Sequence, residues 1–220
     1  TAGLAGSFDG VGGVRGDSCD SVFCALNRNK MSLIQEILTL DEKISARLAL
    51  RDEKGPAHSL GAVIGHSCDS WYWLIGLALV WFFGRGTIRS TAILWALALG
   101  CLAVIVLGIK FLLRRPRPEG EWGSIYRVTD PHSFPSGHAA RAMTIAFMGL
   151  GLGKPLWFFV LLVWAVLVGW SRVALRLHYF SDVLVGWLVG ALSGILALRI
   201  LPVILQKLLG IFPFLTWFIH

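Results

Sequence analysis

Three short polar blocks interrupt an otherwise apolar chain, and their residue types can do chemistry on a phosphoryl group. The first block runs from Lys110 through Arg114, Arg115 and Arg117 to Pro118. The second is Pro135-Ser136-Gly137-His138, and the third is Ser171-Arg172 followed by Arg176, His178 and Asp182. Lys110, Arg117 and Arg172 are three cations, which suits the three non-bridging oxygens of a phosphoryl group. Ser136 and Gly137 stand where a helix is expected to open, and the free N–H groups and positive dipole end there favour an anion. Gly137 allows close backbone approach, and Pro135 keeps the residue before it out of the helical region. His178 and Asp182 are four residues apart and share a face if that stretch is helical. A carboxylate that holds one imidazole N–H leaves the other nitrogen as a nucleophile. His138, placed at the same anion site, suits a general acid that protonates a leaving oxygen.

Taken singly, each piece has a simpler explanation. Lys110, Arg114 and Arg115 alone look like side chains snorkelling to a membrane interface. Ser136-Gly137 alone is an ordinary helix start, and a His–Asp pair at this spacing is common on helices. Arg141 either supports the pocket or pairs with a lipid headgroup, and Arg176 stays ambiguous. His58, His66, His132 and His220 read as structural or surface residues. Cys19, Cys24, Cys68 and Cys101 form no C-x-x-C pair and no zinc spacing, so they are assigned no chemistry. The functional reading rests on all three blocks occurring in order on one face.

The elements that must position these blocks follow from composition. Of the 220 residues, 55% are hydrophobic and 15% charged, whereas a soluble domain carries about 25% charged residues. Five apolar segments, at about 70–84, 91–109, 138–153, 155–170 and 183–198, read as membrane helices. Several are about 16 residues, roughly 24 Å as helix, so they span about 30 Å of hydrocarbon only if flanking turns continue them. Trp71, Trp73, Trp170 and Trp217 stand near segment ends, where aromatic belts sit. Two crossings separate the second block from the third, which returns the chain to the same membrane face and lets all three blocks line one pocket. The formal charge of +7 fits an anionic substrate or anionic lipid. It does not fit nucleic acid, because the basic residues lie between long apolar runs.

The blocks read K-x6-R-P, P-S-G-H and S-R-x5-H-x3-D, and they resemble the three signature motifs of the type 2 phosphatidic acid phosphatase (PAP2) superfamily at every signature position. The resemblance is strong over about residues 105–190 and looser over the preceding helices of short bacterial members. It implies an all-α integral-membrane bundle of about five to six transmembrane helices, with a PAP2/haloperoxidase-like core and an N-terminal amphipathic helix. It further implies that Lys110, Arg117, Ser136, Gly137 and Arg172 bind phosphate, that His138 is the acid, that His178 is the nucleophile and that Asp182 orients it. The implied activity is hydrolysis of a lipid phosphate or diphosphate through a phosphohistidine, with no metal and no cofactor. Membrane lipids are the other expected partners. A non-catalytic lipid-phosphate binder is the main rival, and it would not need His138, His178 and Asp182. A vanadate-dependent haloperoxidase is a third reading, opposed by the five apolar segments.

Two further expectations concern the ends and faces of the molecule. Residues 1–30 are rich in Gly and Ser without an apolar period and are expected to be disordered. Met31 opens a sequence of different character and is a candidate natural start of the 31–220 domain. Residues 32–50 place Leu33, Ile34, Ile37, Leu38, Leu40, Ile44 and Leu48 at helical spacing between charged residues, an amphipathic helix too charged to span. Arg85, Arg89, Lys154, Arg199 and Lys207 lie on the face opposite the pocket. Positive loops favour the cytoplasm, so the pocket is expected on the exoplasmic face of a bacterial cytoplasmic membrane.

Overall fold

The computed structural model describes residues 17–52, 55–119 and 130–218, and packing divides the chain into two units, Thr1–Leu40 and Asp41–His220. The dividing point lies within helix α1, Asp17–Leu48. Residues 17–30 are therefore helical where their composition suggests disorder. Past Gly16 that stretch holds neither Gly nor Pro, the two residue types that cost a helix interior most. Residues 1–16 lie outside the described residues.

Within the second unit, α2 (Pro56–His66), α3 (Ser70–Phe83), α4 (Thr87–Leu113), α5 (Gly137–Met148), α6 (Pro155–Ala174) and α7 (Phe180–Ile211) follow in order. A 3₁₀ segment continues α5 over Gly149–Leu152, and a second spans Pro213–Phe218. The described residues contain no strand. Each of the five expected apolar segments coincides with a helix. By length and composition, α4, α6 and α7 can cross a membrane, while α3 is apolar but only 14 residues long. Their outward side chains, such as Leu112, Phe159, Val163, Leu188 and Leu192, are exposed and apolar, as a lipid-facing surface requires.

Helix α5 is the central helix. Ala139, Ala140, Ala142, Ile145 and Ala146 are fully buried, and they pack against α6 and α7. Small residues set this contact. Gly186, Gly190 and Gly194 form a stripe on α7, and a Cβ at Gly190 would stand 2.1 Å from the Ala140 carbonyl oxygen. Thr144 on α5 donates its hydroxyl to the Gly190 carbonyl at 3.0 Å. Close backbone approach between small residues is the usual solution where lipid supplies no hydrophobic drive to associate. The approach places the first turn of α5 against the first turn of α7, and Ser136 N–H donates to the Asp182 carbonyl at 2.9 Å.

The C-terminal end of α1 belongs to the same unit. Asp41 and Ser45 are buried polar residues. Asp41 accepts from the Ser181 amide and Ser45 from the Phe180 amide, each at 2.9 Å. These are orphan N–H groups of the α7 N-terminus, so this end of α1 packs against the bundle.

Candidate active site

The three blocks meet around a cavity of about 320 Å³. Lys110 and Arg117, Gly137 and His138, and Arg172 and His178 all line it. Lys110 arrives on the last turn of α4, buried at 5% exposure. Arg114 then takes a left-handed conformation, φ +46°, which ends the helix and turns the chain toward Arg117. For a residue with a Cβ that conformation costs roughly 1–2 kcal/mol. Arg172 sits near the end of α6, almost wholly buried, and its Nη2 donates to the Gly65 carbonyl at 2.7 Å.

His178 lies between two charges. Its Nδ1 faces Asp182 Oδ2 at 3.6 Å, beyond a good hydrogen bond but within ion-pair range. Its Nε2 faces Arg117 Nη1 at 3.2 Å. A guanidinium has only donors, so Nε2 presents its lone pair and the ring proton sits on Nδ1, toward the carboxylate. Burial pushes the His178 imidazole down to about 4, with Arg117 adding to the effect and Asp182 opposing it. The neutral ring with an unprotonated Nε2 is the form a nucleophile needs. Asp182 is itself fixed: Oδ1 accepts from Arg115 Nη1 at 2.8 Å and Oδ2 from the Tyr179 amide at 2.9 Å.

Arg115 differs from its expected role as a snorkelling side chain. It is largely buried, donates to Asp182, Ser181 and Asp41, and stacks 4.0 Å from the centre of the Tyr179 ring. It has partners on three sides because the α7 N-terminus and the end of α1 meet there. Ser136, expected as a phosphate ligand, stands at the N-cap of α5. Its fully buried hydroxyl accepts from the Ala139 amide at 3.4 Å and caps α5, and the cavity wall is made by Gly137 and His138.

Several polar residues at the cavity carried no signal in the three blocks. Asp130 ion-pairs with Lys110 and with Arg117 Nη2, the latter at 2.9 Å. Its carboxylate thus meets two of the cations expected to hold phosphate. The His132 carbonyl accepts from Lys110 at 3.0 Å, and its ring packs edge-on to Phe111. Arg141 lines the cavity and donates to the Cys68 carbonyl at 2.7 Å. His138 Nε2 is 2.7 Å from Asp69 Oδ1, while the other Asp69 oxygen meets His66 Nδ1 at 2.9 Å. Burial alone would raise the Asp69 carboxyl, but hydrogen bonds from His138 and His66 outweigh it and hold the group well below the ordinary range.

The remaining wall is apolar and belongs to α4. Leu99, Leu102, Val106, Leu107 and Phe111 line it on one helical face below Lys110. At 1.5 Å per residue the face is about 18 Å long. A cationic end and a long apolar side together fit an amphiphile with a phosphorylated head.

Residues 89–205 match the PAP2 superfamily. An undecaprenyl-diphosphatase of Sulfolobus acidocaldarius is 35% identical over 135 residues, 58% of this chain and 63% of that protein's length. The Escherichia coli protein YbjG is 30% identical over 155 residues, 61% of this chain and 77% of that protein. Among solved structures, a transmembrane PAP2-type phosphatidylglycerolphosphate phosphatase from Bacillus subtilis superposes with a TM-score of 0.61 at 27% identity, covering 74% of this chain and 84% of the other. LpxE of Aquifex aeolicus gives 0.59 at 25% identity, covering 73% and 95%. Matched in sequence through more than half its length and in fold to a transmembrane PAP2-type phosphatase, this integral-membrane chain belongs to the PAP2 superfamily.

Proposed function

We propose that the chain is a membrane-embedded phosphatase that removes phosphate from a lipid phosphate or diphosphate through a phosphohistidine. The observation that carries this reading is the setting of His178: a neutral imidazole whose Nε2 is turned to the phosphate-binding cations while Asp182 faces Nδ1. Lys110, Arg117 and Arg172, with the Gly137 end of α5, hold the phosphoryl oxygens and stabilise the charge that builds on them. Nε2 of His178 attacks phosphorus, forming an N–P bond as the bond to the leaving oxygen breaks. His138 donates the proton that the leaving oxygen takes up. Water then attacks the phosphohistidine and its proton passes to His138, while the N–P electron pair returns to Nε2 and phosphate is released.

The cations supply the charge that a metal would otherwise provide, so turnover is expected to be metal-independent. The named substrates of the relatives, undecaprenyl diphosphate and phosphatidylglycerolphosphate, join an apolar chain to a phosphorylated head. The apolar face of α4 supports the same class here. The basic residues opposite the cavity support an exoplasmic site in a bacterial cytoplasmic membrane, and residues 31–220 are read as the catalytic domain.

The test is phosphate release by the purified protein in detergent across a panel of lipid phosphates and diphosphates, with and without excess EDTA. Release from at least one of them, undiminished by EDTA and inhibited by orthovanadate, is expected. Loss of activity in EDTA with recovery in magnesium or zinc would sink the mechanism. Binding of the panel without release would favour a lipid-phosphate binder.

A further inference from the structure

The turn from α2 to α3 packs behind three cavity-lining residues, His138, Arg141 and Arg172. Four side chains from elsewhere hold residues 65–69 in place. Arg172 donates to the Gly65 carbonyl, Arg141 to the Cys68 carbonyl, Trp73 to the Ser67 carbonyl and Trp164 to the Ser67 hydroxyl, at 2.7 to 3.2 Å. The Cys68 side chain is fully buried, with its sulfur 3.5 Å from the His138 carbonyl oxygen. Asp69 follows at the N-cap of α3, yet its side chain makes no capping bond. Both carboxylate oxygens go to histidines instead: Oδ1 to His138 Nε2 at 2.7 Å and Oδ2 to His66 Nδ1 at 2.9 Å.

We propose that Asp69 is the positioning residue of the general acid, fixing the His138 ring and stabilising its imidazolium. This rests on the functional reading above. A carboxylate has only acceptors, so Nε2 of His138 donates to it and Nδ1 is the nitrogen left for substrate. Nδ1 can deliver a proton only from the imidazolium. Around that ring, Arg141 stands one turn along α5 and Arg172 comes from α6, with Cys68 and His66 on the turn. Across the cavity stand Lys110, Arg117 and His178. Burial, Arg172 and Arg141 oppose a positive charge on the ring, and Asp69 offsets part of that opposition. The His66 contact holds the second carboxylate oxygen. The two histidines are thus set for opposite tasks. His178 faces its carboxylate at 3.6 Å with Arg117 at its other nitrogen, which favours the neutral nucleophile. His138 has the short carboxylate bond, the contact its imidazolium needs when it acts as the acid.

The test compares Asp69→Asn with wild type on two substrates, phosphatidic acid, whose alkoxide is a poor leaving group, and p-nitrophenyl phosphate, whose leaving group needs little protonation. Asp69→Asn is expected to lower kcat on phosphatidic acid about 10²-fold while phosphoenzyme formation from p-nitrophenyl phosphate changes by about threefold or less. The basic limb of the kcat profile on phosphatidic acid should move to lower pH by about one to three units, because the imidazolium loses its counter-charge. Asp69→Glu should keep the basic limb near wild type and recover part of the loss. An equal fall on both substrates with the basic limb unmoved, or no fall at all, would overturn the inference. If Asp69→Asn does not fold, Asp69→Glu decides: an equal loss on both substrates or a displaced basic limb overturns it. A wild-type protein inactive on both substrates would overturn the functional reading and this inference together, an outcome distinct from failure of Asp69 alone.

Discussion

The chemistry concentrates at His178, whose two ring nitrogens face opposite charges. Replacing Asp182 by Asn removes the carboxylate that fixes the ring proton on Nδ1. Turnover should fall substantially, toward the roughly 10⁴-fold seen when a serine protease triad loses its carboxylate, with melting in detergent as the check on folding. The low His178 value gives a second expectation. Protonation lies near pH 4, so carbethoxylation of His178 by diethyl pyrocarbonate, read by peptide mass spectrometry, should stay near its pH 7 rate down to about pH 5. An ordinary imidazole, near 6.5, would be mostly protonated there, and a rate that falls through pH 6.5 would contradict the geometry. The sign for stability follows from the same numbers. The folded value is below the unfolded one, so the contribution is complete above about 6.5 and is lost as pH falls toward 4. At this scale the cations and the His178–Asp182 pair were legible in the sequence, because charges placed between membrane helices need a reason. Asp69 and Asp130 were not. Each reads alone as a polar residue at a segment edge, and Asp69 meets His138 across 69 residues of chain. Ser136 is less distinctive in the sequence, since a serine at a helix start serves as a cap as readily as a ligand.

Helices α5 and α7 hold the site through glycine. A side chain at Gly190 would drive into the Ala140 carbonyl. Gly190→Val should therefore separate the helices, destabilise the fold by about 1–3 kcal/mol or more, and lower the melting temperature in detergent. Gly65 has a different task. Its Cβ would stand 2.9 Å from the Ser171 hydroxyl and 3.4 Å from the Arg172 guanidinium carbon. Gly65→Ala should weaken orthovanadate binding through a displaced Arg172 while leaving the melting temperature closer to wild type. Unchanged vanadate affinity would show that Arg172 can yield without loss. The spacing Gly186-x3-Gly190-x3-Gly194 is visible in the sequence, but an apolar run does not say which face meets a neighbour. The same limit applies to α1. Its apolar period announces a helix, whereas the role of Asp41 and Ser45 in satisfying the α7 amides depends on a contact about 140 residues away.

For the molecule as a whole, five apolar segments and two crossings between the second and third blocks were enough to place all three on one cavity. The number of spans was less legible, because α3 is 14 residues long and α5 12, and α5 owes its burial to neighbouring helices. The proposed exoplasmic orientation rests on the basic residues opposite the cavity. A cysteine placed at Glu119 in an otherwise cysteine-free chain should react with an impermeant reagent in intact cells; reaction only after permeabilisation would reverse the topology. A chain beginning at Met31 should keep nearly full turnover, since all three blocks and Asp41 lie beyond it, and a large loss would move the domain boundary upstream. The central claim is that His178 carries the phosphoryl group. Its most direct measurement is acid-labile, base-stable labelling with a phosphate-labelled substrate, quenched at alkaline pH and followed by peptide mass spectrometry. Label on His178 in the wild type is predicted, accumulating in His138→Ala with p-nitrophenyl phosphate and absent in His178→Ala. Label that persists in His178→Ala, or hydrolysis by the wild type with no labelled enzyme at any time, would contradict it.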